Sequence, residues 1–306
     1  MAEASPAVQP IVLGGGISGL STAIVLQSLG LHPRILTNYR PLQSDCGGSG
    51  DAANARVSGP SSVRPSVPTD YAMASAYPHN LRVNNLETVS DQSQAVFQFF
   101  RKIPNSGVSI YRLFEVFENE PDDPPLSSRR MNFQLFDGKA ERIKASLGAP
   151  ARPGAGHLWG WVFDTYFADM PIYLDYLWRL FLAGGGVVQE IQLQNDELIA
   201  DLLNEPNNVI VNCLGYGAPG IFGDNVEHVI VRGKQVLVPL APTVLGQDGV
   251  PLAYNYTPTA DVFSRADGGP EYVHFFPRQD GWVLGQTREP GLFDEDGIWH
   301  EQEVSA

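Results

Sequence analysis

Three glycines, Gly14, Gly16 and Gly19, stand in the spacing G-x-G-x-x-G inside the stretch IVLGGGISGLSTAIVLQSLG, residues 11–30. That spacing can hold a pyrophosphate. Glycine at 14 permits a tight strand-to-helix turn, glycine at 16 lets phosphate oxygens approach the backbone, and glycine at 19 lets the helix pack closely on the strand. The N–H groups that open the helix, at Ile17, Ser18 and Gly19, then face the phosphates. The spacing alone is weak evidence. Its context strengthens it: Ile11, Val12 and Leu13 read as a buried strand before it, and Leu20, Ala23, Ile24, Leu26 and Leu29 as the apolar stripe of a helix after it. The competing reading is a glycine-rich turn with no ligand.

A second strand over Pro33–Thr37 should carry the residue that meets the ribose. An acidic residue normally ends it and accepts the ribose hydroxyls. Here the end reads Thr37-Asn38-Tyr39-Arg40, without a carboxylate. Asn38 can hydrogen-bond a ribose without charge. Arg40 could favour a phosphorylated ribose as in NADP, or stand as a solvated loop residue. The motif leaves the dinucleotide open.

The elements that must position these residues follow in order. Residues 41–69 are rich in Ser, Gly and Pro and read as a surface loop insertion. Tyr71–Asn80 bunches small residues that either let a flat ligand approach the backbone or pack a helix. A helix is expected over Leu86–Arg101, capped by Asp91, with Val96, Phe97, Phe99 and Phe100 as its apolar face. Val108–Glu118 alternates as a strand, and 125–165 shows no clean period. Ile172–Ala183 reads as a helix closed by Gly184, Gly185 and Gly186, followed by a strand over Val187–Leu193. Val209–Cys213 is apolar throughout, as a buried parallel strand should be. It runs into Leu214–Ala218, small residues at the carboxyl end of a strand, where open α/β sheets place ligands. The last third reads as short strands over His228–Leu240, Ala253–Tyr256, Glu271–Pro277 and Gly281–Gln286, the final two forming a hairpin.

The chain has 306 residues, long enough for one large α/β domain or two interleaved ones. Its net charge of −14, from 20 basic and 34 acidic residues, argues against nucleic acid and anionic membrane as partners. There is no 18-residue apolar segment and no charged leader with an apolar core. Cys46 and Cys213 are too few for a disulfide framework, Cys213 is expected inside a buried strand, and an intracellular setting is the default. Asn255-Tyr256-Thr257 is read as a chance glycosylation sequon. The histidines at 32, 79, 157, 228, 274 and 300 show no metal-ligand spacing, so no metal site is expected. No hydrolase or phosphate-loop motif occurs.

Several segments together resemble the D-amino-acid oxidase family, which includes D-aspartate oxidase. They are VLGGGISGLSTA, DYAMASAYPHN, VIVNCLGYGAPGIFGD with VRGKQVLV after it, and the hairpin HFFPRQDGWVLGQT. The resemblance implies an α/β fold: a Rossmann-like FAD-binding domain with an interleaved, mainly antiparallel β-sheet substrate domain. It divides the chain into FAD-binding parts at 1–85 (with the 41–69 insertion) and 166–225, and substrate parts at 86–165 and 226–306. It implies FAD rather than a nicotinamide cofactor. Gly14, Gly16, Ile17, Ser18 and Gly19 would hold the pyrophosphate, Asn38 and Tyr39 the ribose, and Ala74, Ser75, Ala76, Leu214 and Gly215 the flavin ring. The reaction it implies removes the α-hydrogen of a D-amino acid, or a related amine, as hydride, with oxygen as the second substrate. It leaves a homodimer open, and a cytoplasmic or peroxisomal setting, although the chain ends in Val304-Ser305-Ala306.

The chain departs from the family pattern in three places. Asn38-Tyr39 replaces the acidic residue and arginine that usually end the second strand. His274 replaces the tyrosine that opens the roof strand, and there it either hydrogen-bonds a substrate carboxylate, accepts a proton near neutral pH, or is a core histidine paired to backbone. The family's R-P-x-R-P strand, whose arginine clamps the substrate carboxylate, and its later glycine-rich turn have no counterpart. Arg278 and Arg288 lie near the roof but match neither position. The chain is then a fragment, a catalytically inactive flavin-binding relative, or a short variant whose site is completed differently.

Overall fold

The computed structural model describes residues 8–39, 68–77, 84–122, 130–191, 196–223, 230–233, 235–265, 268–269, 271–285, 289–293 and 299–301. The first elements are β1 (Gln9–Leu13), α1 (Ile17–Ser28), β2 (Arg34–Thr37), β3 (Met73–Ser75), α2 (Leu86–Arg101), β4 (Val108–Phe117), β5 (Met131–Lys139), α3 (Ala140–Leu147) and β6 (His157–Asp169). Then come α4 (Met170–Ala183), β7 (Val187–Glu190), α5 (Asp196–Asn204), β8 (Asn208–Asn212) and α6 (Ala218–Phe222). Strands β9 (Ile230–Arg232), β10 (Gln235–Pro239), β11 (Leu252–Thr257), β12 (Val273–Arg278), β13 (Gly281–Gly285), β14 (Glu289–Phe293) and β15 (Trp299–Glu301) complete it. No described helix is long and apolar enough to cross a membrane. The described residues fall into two compact units, one drawn from Met1–Ala72, Asn105–Gly107 and Met170–Glu227, the other from Met73–Pro104, Val108–Asp169 and His228–Ala306.

The first unit is built on a parallel sheet of order β7-β2-β1-β8. Ile11, Val12 and Leu13 of β1 are fully buried because strands flank them on both sides. Ile11 and Leu13 pack with Leu36 and Ile199. Helix α1 lies against α4, and Gln27 Nε2 donates to the Phe181 carbonyl at 3.0 Å, tying the two helices by one of the last carbonyls of α4.

The second unit centres on an eight-stranded sheet of order β10-β13-β12-β11-β4-β6-β3, with β5 also paired to β6. Its pairings are antiparallel except β11 with β4. One face carries Tyr111, Leu113, Phe163, Phe167, Ala253, Phe276 and Val283. The other carries Phe114, Val116, Leu158, Val162 and Tyr256, closed by Ala140 and Ile143 of α3. Strands β9, β14 and β15 form a separate small sheet. The fold is the expected α/β type, a parallel Rossmann-like sheet and a mainly antiparallel second sheet.

Several local expectations change. Strand β8 is an edge of its sheet, so Val209 is half-exposed rather than buried, and Cys213 lies past the strand end, part-buried. Helix α2 starts at Leu86 after Asn85, so Asp91 sits a turn too late to cap it, and Val96 and Phe99 face outward. Gly233 splits the expected strand over His228–Leu240 into β9 and β10, which join different sheets. The unreadable stretch 125–165 contains β5, α3 and most of β6, whose residues beyond Trp159 are buried on both faces and so show no alternation. Strand β7 ends at Glu190, and residues 192–193 lie outside the described residues, as do Arg40, Cys46, His79, Arg288 and most of the 41–69 insertion.

Candidate functional site

In the first unit, each glycine of the turn meets a different demand. Gly14 has φ +103°, and a Cβ there would stand 2.5 Å from the Cys213 carbonyl oxygen. A Cβ on Gly19 would fall on the Gly14 carbonyl oxygen, so the helix packs against the turn only through glycine. A Cβ on Gly16 meets nothing within 4 Å. Gly16 is the N-cap of α1, and no side chain caps that helix, so its first N–H groups are not satisfied by a side chain. The turn is pinned from β2: the Thr37 hydroxyl accepts from Gly15 N–H at 3.1 Å and Tyr39 N–H at 3.0 Å.

At the end of β2, Asn38 is exposed and Tyr39 is buried, its hydroxyl donating to Asp70 at 2.5 Å. The Tyr39 phenol therefore points inward, and Asn38 is the side chain of the expected pair that reaches outward. Past β8, the Asn212 side chain accepts from Leu214 N–H at 3.1 Å, and Gly215 adopts φ +57°, a left-handed turn suited to glycine. Leu214 is part-buried and Gly215 exposed.

In the second unit, Ala74 and Ser75 lie in β3, paired with Ala168 and Phe167 of β6, and Ala76 N–H donates to the Tyr166 carbonyl at 2.8 Å. Gln94 of α2 fixes the segment, its amide donating to the Ala76 carbonyl at 2.7 Å and the Thr165 hydroxyl at 2.9 Å.

One row across the large sheet holds Trp161, Glu115, Asn255 and His274, each directly opposite the next on β6, β4, β11 and β12. Residues opposite one another share a face of the sheet. All four are buried, and Asn255 Nδ2 donates to Glu115 Oε1 at 2.7 Å. Burial pushes the Glu115 carboxyl up to about 8, against the effect of that hydrogen bond. His274 stacks on Phe276 at 4.6 Å, and burial pushes its imidazole down to about 4. A pKa that low speaks against proton uptake near neutral pH, and among the described residues Nε2 has no partner, backbone or otherwise, nor does the Trp161 indole N–H. On the same face, burial and then Asp169 raise the Tyr111 phenol to about 12. Arg278 is bound by both oxygens of Asp280 at 2.9 and 2.8 Å, so it is already neutralised.

No protein-family model matches the chain. Among curated proteins it is similar to the D-aspartate oxidase of Talaromyces thermophilus, 25% identical over 291 residues that cover 92% of this chain and 70% of that one. It is also similar to the D-amino-acid oxidase of Schizosaccharomyces pombe, 24% identical over 291 residues covering 94% and 71%. The curated proteins it is similar to are thus D-amino-acid and D-aspartate oxidases. Among solved structures, the chain is similar to NikD, an unusual amino acid oxidase essential for nikkomycin biosynthesis, with TM-score 0.58, 12% identity and coverage of 96% and 75%. The glycine oxidase of Geobacillus kaustophilus gives TM-score 0.56, 13% identity and coverage of 94% and 74%. At such identities the structural likeness establishes the fold.

Sequence reasoning missed three members of the buried row, Trp161, Glu115 and Asn255, the first of them inside the stretch 125–165 that shows no clean period. Glu115 stands in phase with Tyr111, Leu113 and Phe117 along β4, and a carboxylate in an apolar phase was a readable signal. Asn255 was masked by the sequon reading; its burial removes it from any glycosylating enzyme in the folded chain.

Proposed function

We propose that the chain binds FAD with its pyrophosphate at Gly14–Gly19 and catalyses oxidative deamination of a D-amino acid to a 2-oxo acid, ammonia and hydrogen peroxide. The observation that carries this reading is the division of labour among the glycines. Backbone presses on the Cβ positions of Gly14 and Gly19, while the Cβ position of Gly16 is open, as a backbone-binding phosphate requires. The uncapped start of α1 fits the same group.

Bound there, FAD would supply the acceptor for the substrate α-hydrogen and a route for the electrons to oxygen. The chain's own residues orient and desolvate. Ile17, Ser18 and Gly19 offer N–H groups to the phosphates, and exposed Asn38 offers an uncharged hydrogen bond to a ribose. In the second unit, small side chains at Ala74 and Ser75 would let a flat ring approach β3, with Ala76 held in place behind them; in the first unit, Leu214 and the left-handed turn at Gly215 would offer a further ring contact. His274, neutral at physiological pH, would hydrogen-bond the substrate through Nε2 and hold it in place rather than take its proton.

The test is an absorption spectrum of the purified chain followed by anaerobic addition of D-amino acids. Visible flavin bands that bleach with a D-amino acid support the reading. A colourless protein rejects flavin binding, and a yellow protein that only a non-amino-acid amine bleaches assigns a different substrate class.

A further inference from the structure

The two edges of the parallel sheet in the first unit are built differently. Strand β7, at one edge, runs Val187-Val188-Gln189-Glu190, and a charge on an edge strand discourages a further strand from pairing there. Strand β8, at the other edge, runs Asn208-Val209-Ile210-Val211-Asn212 with no charge and no proline. No residue of β8 is buried, whereas Ile11, Val12 and Leu13 of the neighbouring β1 are fully buried. A parallel strand this apolar is ordinarily covered. The charge-free stretch extends from Pro206 to Gly223, in a chain of net charge −14. The pairing with β1 decides which backbone groups face the open side. Gln9 N–H donates to the Asn207 carbonyl at 2.8 Å and Cys213 N–H to the Leu13 carbonyl at 2.9 Å, so residues 207, 209, 211 and 213 turn their backbone to β1. Ile210 and Asn212 therefore turn their N–H and C=O groups outward, where no strand pairs with them among the described residues.

We infer that β8 is the pairing edge for a second copy of this chain, joined strand to strand across a two-fold axis. The sequence of β8 reads the same in both directions about Ile210. A two-fold axis at a sheet edge sets the strand against itself antiparallel. The palindrome then places Ile210 opposite Ile210, each Val209 opposite Val211, and each Asn208 opposite Asn212. The Ile210 pair exchanges two N–H···O bonds, and each Asn212 N–H meets the Asn208 carbonyl of the other copy. Asn208 N–H is not needed for this ladder, since it donates to the Glu205 carbonyl at 3.1 Å. Valine faces valine at the cross-strand positions, a favourable pairing of β-branched side chains. Two copies of so acidic a chain repel each other, and this contact lies where neither carries a charge. A specific interface buries on the order of 1,000 Å² or more, which exceeds one strand pair. Leu203 of α5, Tyr216, and Phe222 of α6, on the segments that enter and leave β8, are exposed and extend the apolar surface.

The experiment takes the full chain as purified and follows sedimentation velocity over a dilution series. The parent should sediment as a dimer that dissociates on dilution, and should dimerise more tightly at higher salt, because screening relieves the repulsion between two acidic copies. Val209 is 50% exposed in one copy, so Val209→Lys is compatible with the fold. In the pair, the two lysines would stand diagonally on one face of the joined strands, like charges within reach of each other. The dissociation constant of Val209→Lys should rise on the order of 100-fold, while that of Val209→Thr, which keeps a β-branched neutral side chain, should stay within a few-fold. Amide hydrogen exchange of the parent needs no variant. The Ile210 and Asn212 amides should be protected in the concentrated protein and lose protection on dilution, while the Val209 and Val211 amides, which face β1, should not change. A parent that is monomeric throughout the series, or a dimer that folded Val209→Lys leaves intact, would overturn the inference. So would protection of Ile210 that is independent of concentration, which would assign the edge to a segment of the same chain.

Discussion

Asn255 and Glu115 face each other across the one parallel junction of the large sheet, with Asn255 Nδ2 donating to Glu115 Oε1 at 2.7 Å, both side chains buried. Burial raises the Glu115 carboxyl to about 8, so the folded state favours the protonated acid. Its contribution to stability is fully present below the unfolded carboxyl range and is lost as pH rises toward 8. Glu115→Gln keeps an oxygen for Asn255 and cannot ionise. The variant should be more stable than the parent at pH 8.5, raising Tm by about 2–4 °C for each kcal/mol relieved, and should match it near pH 4. Tm profiles that differ by a constant from pH 4 to 8.5 would rule out a buried titrating carboxyl.

The open Cβ position of Gly16 and the blocked one of Gly19 separate binding from folding. Gly16→Val should fold with a near-parental Tm and purify without flavin, because its side chain fills the space a phosphate needs. Gly19→Ala should cost several kcal/mol, since its methyl would overlap the Gly14 carbonyl. Absorbance at the flavin bands and thermal unfolding decide both. A yellow Gly16→Val protein would refute the phosphate site.

The parts legible in the sequence were those whose residues answer to their neighbours along the chain. Gly14, Gly16 and Gly19 state their roles by spacing, and the Val273–Arg278 and Gly281–Gly285 hairpin by its alternation and turn. Strand β6 was not legible because both its faces are covered, which erases the period-two signal. The end of α2 that exposes Phe99 misled in the other direction: an apolar stripe says what a helix could bury, not what it does bury. The row from Trp161 to His274 assembles across four strands, and register between strands distant in sequence is not written in any one of them.

Thr37 holds two backbone donors with one hydroxyl, at Gly15 and Tyr39. Thr37→Val keeps the shape of this buried side chain and strands both N–H groups. The expected loss is about 2–4 kcal/mol, from two unsatisfied buried donors, with weaker flavin retention because the turn at Gly15 is no longer pinned. Thr37→Ser should recover most of both. Chemical denaturation and flavin titration provide the measurements, and a Thr37→Val chain as stable as the parent would show that the two bonds contribute nothing.

His274 combines a depressed imidazole, near 4, with an unpartnered Nε2 and a stacked Phe276. Because the folded state prefers the neutral ring, the stability associated with it is complete above pH 6.5 and is lost as pH falls toward 4. His274→Phe keeps an aromatic stack and cannot take up a proton, so unfolding curves of the parent should weaken between pH 6.5 and 4 more steeply than those of the variant. On activity the effect should be different in kind. Losing one neutral hydrogen bond to substrate should raise KM on the order of 10-fold and leave the pH dependence of kcat near neutrality unchanged, since a ring with its pKa near 4 does not titrate there. A kcat profile that loses an ionisation between pH 6 and 8 in His274→Phe would instead make this residue the base, and the buried environment seen here would have to open when substrate binds.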